Sequence, residues 1–250
     1  MPTSVCLKIS DVMSVKEYSD MIIRVIRYNL KVVFAGKFFW FLLAAFLFFA
    51  FFMFQQAWNR VEINEGSVYN LLLFPCLLLI FYPVVFGIQN DEDNRILEII
   101  FGIPNYRYKV WGVRMLMMYV ANFFILLLFG YVARLLLYPV NISEMAFQLL
   151  FPMLFFGNLA FMFSTITRSG NGTAVIMIVL GLALFIFMRG NRQLSLSYWN
   201  IFLNPFATPS EIHPLIWQNT ILKSRIFLVI GAVVWLMIGF LNLQRREKFV

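Results

Sequence analysis

Long apolar runs, broken by short polar stretches, dominate the chain. Crossing the hydrocarbon core of a bilayer as a helix takes roughly 20 apolar residues, with a range of about 17–25. Windows of that size fall at residues 38–54, 69–88, 115–138, 145–166, 172–188 and 226–243. Each is almost free of charge. The exception, Arg134, sits close enough to the end of the third span for its side chain to reach the interface. The pattern predicts an all-α fold, a polytopic membrane helix bundle with six transmembrane helices. Residues 1–37 form an N-terminal arm, 38–243 the transmembrane domain and 244–250 a tail.

Three segments outside the spans have their own periodicity. Between residues 15 and 33, the polar positions Lys16, Asp20, Arg24, Arg27 and Lys31 recur at steps of three and four. Val15, Tyr18, Ile22, Val25, Ile26 and Val33 fall on the opposite face. That is an amphipathic helix with a basic rim, which can lie on a membrane surface or pack beside the bundle. Between the second and third spans, Asn90-Asp91-Glu92-Asp93-Asn94 supplies the acidic and amide side chains that favour a helix N-terminus. Ile96, Leu97, Ile99, Ile100 and Phe101 follow as a short apolar surface, stopped by Gly102 and Pro104. An exposed apolar helix of this kind points to a protein that covers it. The third segment, 189–225, holds Trp199, Phe202, Pro205, Phe206, Pro209, Pro214 and Trp217. It reads either as interfacial or re-entrant pieces at headgroup depth or as a folded cap over the bundle.

Composition supports the membrane reading. The 250 residues are 62% hydrophobic and 13% charged, with a mean hydropathy of +0.81, against about 45–50% and about 25% in soluble domains. The net charge of +8 would raise nucleic acid as a partner in a soluble protein. Here the basic residues lie between apolar spans, so membrane lipids are expected and nucleic acid is not. With the N-terminus in the cytoplasm, 14 of the 20 Lys and Arg residues fall on the cytoplasmic side. Omitting the distant Lys8 and Lys16 leaves 12 against 6. Both termini are therefore expected inside the cell. The first apolar segment begins behind a long polar arm, which predicts a retained anchor rather than a cleaved signal peptide.

Much familiar chemistry is missing. Cys6 and Cys76 make no disulfide framework, and no CxxC or Cys/His cluster accompanies the single histidine, His213. No predicted span holds an acidic residue, which counts against an ion-coupled transporter. No GxxxxGK[ST] motif occurs, so this chain has no P-loop for ATP. Ser169-Gly170-Asn171-Gly172-Thr173 lacks the lysine and reads as a tight turn. Ser164, Thr165 and Thr167 are the best hydroxyl cluster, and such residues hydrogen-bond to backbone near helix ends. Asn122 and Asn158 are expected to bond between helices. Asn141-Ile142-Ser143 matches a sequon by a pattern short enough to arise by chance. No catalytic, metal or cofactor site is expected in the chain. Any energy must enter through a partner.

The inner loop resembles the signature of type-2 ATP-binding-cassette (ABC) transporter permeases. The residues that carry the likeness are Leu97-Glu98-Ile99-Ile100-Phe101-Gly102-Ile103-Pro104 and then Arg107. It extends to the amphipathic N-terminal helix, the six spans, Thr167-Arg168-Ser169-Gly170 before the fifth span and Asn204-Pro205-Phe206 in the last outer loop. The family's Gly-Thr pair is replaced by Arg95-Ile96. The resemblance implies a permease subunit of an ATP-driven exporter in the inner (plasma) membrane. ATP and Mg would be bound by a separate cytosolic ABC ATPase subunit, and a second permease subunit, identical or related, would complete the machine. Residues 91–104 would be the coupling helix. Its apolar body, Ile96, Leu97, Ile99, Ile100 and Phe101, would enter a groove of the ATPase. Asp91, Glu92, Asp93 and Glu98 would face polar or basic groups on it, with Pro104 and Arg107 closing the interface. Two other readings stay open: a non-transporting membrane anchor or assembly subunit, and a lipid-modifying membrane enzyme, which the missing acid–base cluster disfavours.

Overall fold

Once peptide groups enter hydrocarbon, only hydrogen bonds made within the segment can satisfy them, and the long apolar runs fold as helices. The computed structural model describes residues 38–58, 63–93, 107–210 and 212–243. In chain order the helices are α1 (Phe38–Trp58), α2 (Glu65–Val85), α3 (Gly87–Asp93), α4 (Val113–Leu136), α5 (Ile142–Thr167), α6 (Gly170–Gly190), α7 (Arg192–Ser195) and α8 (Pro214–Leu243). A π-helical turn, Arg107–Gly112, leads directly into α4. Six helices are long and apolar enough to cross a membrane, with α2 and α3 counting as one span. No strand occurs among the described residues. The chain is a multi-pass, all-helical membrane protein.

Local chemistry sets the helix ends. The Asn64 side chain caps α2 by accepting the Ser67 N–H at 2.8 Å, with Glu65 in the first turn. Asn141 accepts from the Glu144 N–H at 3.4 Å and begins α5, so the sequon-like asparagine is a helix cap. At the far end of α5, Arg168 takes the left-handed conformation (φ 56°) and its N–H reaches the Ser164 carbonyl at 3.0 Å. Ser169 then caps α6. The 169–173 stretch is therefore the cap and first turn of a helix, and the turn itself is only Arg168 and Ser169.

The spans alternate in direction. Residues 85–93, 107–114, 161–170 and 239–243 gather at one end, called proximal below; residues 64–70, 137–148 and 191–225 gather at the distal end. α5 is the central helix and packs most extensively on α8 and α2. In α5 and α2, 72% and 67% of the spanning window is buried, against 17% in α1 and α6. The α5–α8 approach depends on two glycines. A Cβ on Gly231 would lie 2.6 Å from the Phe155 ring, and one on Gly239 would lie 2.7 Å from the Phe161 ring. Small residues at such contacts let helix backbones come close, which is how packing holds helices together in lipid.

One boundary differs from the sequence-based expectation by a large margin. The sixth span starts at Pro214, not near residue 226, and takes in a third of the expected 189–225 loop. Thr220, Lys223, Ser224 and Arg225 make this stretch look polar, but Thr220 returns its hydroxyl to the Ile216 carbonyl at 3.0 Å, and Ser224 and Arg225 turn inward. What remains of the loop is a folded cap. Asn200 bonds to the Ser195 carbonyl and the Phe202 N–H, and Asn204 to the Gly66 carbonyl and the Phe206 N–H. Ile201 and Leu203 are buried beneath.

Gly157 tests the packing. A Cβ there meets the Tyr119 hydroxyl at 2.6 Å and Ile80 at 3.1 Å. Gly157→Ala is expected to lower stability by about 1–3 kcal/mol, the usual cost of overpacking. Gly181→Ala, where nothing lies within 4 Å, should show no loss. Thermal unfolding of the two variants in detergent compares them directly.

Candidate functional site: the base of the 94–106 segment

Ile96, Leu97, Glu98, Ile99, Ile100, Phe101 and Pro104 lie outside the described residues, as do Lys16, Arg24, Arg27 and Lys31 of the N-terminal arm. The structure instead gives the two elements that flank residues 94–106 in the chain. On one side, α2 runs through Pro83, breaks at Phe86 and continues as α3. On the other, the chain re-enters at Arg107 in the π-helical turn and passes into α4.

A buried ion pair joins these elements. The Arg114 Nη1 of α4 donates to the Asp91 Oδ2 of α3 at 2.5 Å, with both side chains at most 5% exposed. The Arg114 guanidinium lies 4.6 Å from the centre of the Trp111 ring, so its flat face is covered by indole. Trp111 is itself buried and packs against Phe161 of α5 at 5.9 Å between ring centres. Glu92 and Asp93, one and two residues on, are exposed. The three neighbouring carboxylates therefore separate. Asp91 was expected to face a partner, but its carboxylate is used inside this chain, because Arg114 on the adjoining helix reaches it first. Arg114 is buried for the same reason.

Other bonds tie the base to the rest of the bundle. The Gly170 N–H donates to the Gln89 side-chain oxygen at 2.6 Å, linking α6 to α3. Adding a Cβ at Gly170 would drive it into the Phe86 ring and that same oxygen, so the contact needs glycine. The Ser164 hydroxyl donates to the Val85 carbonyl at 3.2 Å, linking α5 to α2, and Asn242 of α8 donates to the Thr165 hydroxyl at 3.5 Å. Thr165 and Thr167 also donate to the Met162 and Phe163 carbonyls of their own helix. The hydroxyl cluster is thus spent on backbone, as its position near a helix end implied, with Ser164 reaching across to a neighbour. Deeper in the bundle, the Tyr119 hydroxyl donates to the Asn158 side-chain oxygen at 2.7 Å between α4 and α5. Asn122 behaves differently from the expectation: it is buried, and neither of its amide atoms has a partner among the described residues.

At the distal end, Arg225 is the residue that sequence reasoning missed. It is 5% exposed, donates to the Gln148 side-chain oxygen at 2.9 Å and to the Leu203 carbonyl at 3.2 Å, and lies 5.4 Å from the Phe151 ring centre. It ties α8, α5 and the cap together. Among the described residues, no three His, Cys, Asp or Glu side chains come together. The proximal arrangement joins α3 to α4 and ties both to the central helices. No protein-family profile matches the chain, and no curated protein and no solved structure matches it either.

The ion pair has a clear mutational signature. Removing one partner of a buried pair leaves an uncompensated charge and costs about 3–5 kcal/mol, whereas replacing both by apolar groups of similar size is often neutral. Asp91→Ala and Arg114→Ala are each expected to lower stability in that range, and Asp91→Leu with Arg114→Met to recover most of the loss. Chemical denaturation in detergent, monitored by tryptophan fluorescence, measures the cycle.

Proposed function

We propose that the chain is the membrane-spanning permease subunit of an ATP-driven type-2 ABC exporter, working with a separate cytosolic ATPase that binds ATP and Mg. The observation that carries this reading is the Asp91–Arg114 pair. A segment that passes motion from a soluble motor to a set of spans must be stiff at its base, or the stroke is lost in bending. Here the elements on either side of the segment are joined by one buried contact, and they are tied to α5 by Trp111 packing on Phe161 and the Ser164–Val85 bond, and to α6 by the Gln89–Gly170 bond. Support also comes from the order of sequence features: basic N-terminal arm, six spans, and an acidic-then-apolar segment ending in Gly102-Ile103-Pro104.

In this reading the proximal end is cytoplasmic, in keeping with the excess of Lys and Arg there, and both termini lie on the cytoplasmic side of the inner (plasma) membrane. Glu92 and Asp93, exposed beside the base, steer encounter with the ATPase, since rim charges act more on association rate and register than on affinity. The apolar body from Ile96 to Phe101 supplies the buried contact. A second permease subunit, the same or related, completes the translocation path.

The decisive measurement is co-purification. A tagged full-length chain, extracted in mild detergent from its native cells, is expected to carry an ATP-hydrolysing subunit with it. Leu97→Asp and Phe101→Asp should each remove that subunit while leaving the amount of folded permease unchanged. Undiminished ATPase recovery in both variants would sink the coupling role. A partner lacking ATPase activity would favour the anchor or assembly subunit instead.

A further inference from the structure

We draw no further inference here: the strongest candidate, the aromatic-lined cleft of about 570 Å³ between α1, α2, α6 and the cap at the distal end, is an open apolar face, and nothing in the structure shows what covers it.

Discussion

Lipid tails solvate leucine and phenylalanine about as well as a protein interior does, so apolar side chains alone cannot hold this bundle together. Its cohesion depends on close fit and on a few polar ties, and both converge on α5. Gly231 and Gly239 let α8 approach until the Phe155 and Phe161 rings lie against its backbone. Gly157, on α5 itself, admits Tyr119 and Ile80. The helices with the least buried surface, α1 and α6, are those that contribute least to this fit.

The two ends of the bundle use different polar chemistry on the same central helix. At the proximal end, the Asp91–Arg114 charges are covered by Trp111 and tied to neighbouring helices by short side-chain-to-backbone bonds. At the distal end, the buried guanidinium of Arg225 binds neutral acceptors. The first arrangement joins α3 to α4. The second ties α8 and α5 to the cap.

Much of the architecture is legible from residue pattern alone, because a span has to be long and apolar whatever packs against it. All six expected windows overlap the spanning helices, and Asn64, Asn141 and Ser169 show how amide and hydroxyl side chains mark their starts. The sixth boundary was obscured because Lys223, Ser224 and Arg225 interrupt the apolar run. A signal was present: Trp217, Ser224, Leu228, Ala232, Gly239 and Leu243 repeat at steps of about seven and four, and all are buried. Following that stripe backwards past residue 226 recovers the helix. The candidate site was less accessible. Composition shows three adjacent carboxylates, but which of them turns inward depends on Arg114, 23 residues further on, and pairings at that distance are set by tertiary packing. The unpartnered Asn122 has no counterpart in the sequence pattern either, since an amide that finds a neighbour and one that does not look alike.

The position of Arg225 has a consequence for how the protein is made. α8, which carries it, is the last of the described helices to leave the ribosome, yet it is the most extensive neighbour of α5. Until it arrives, α5 has no partner along that face, Gln148 has no guanidinium to accept from, and the cap lacks the tie from Arg225 to the Leu203 carbonyl. Arg225 in turn enters the bilayer region as an unfavourable residue, by about 2.5–3.5 kcal/mol at a helix centre, until it reaches those acceptors. Assembly is therefore weighted toward the docking of α8: the α2–α5 and α4–α5 contacts can form before it, and the α5–α8 contacts only with it.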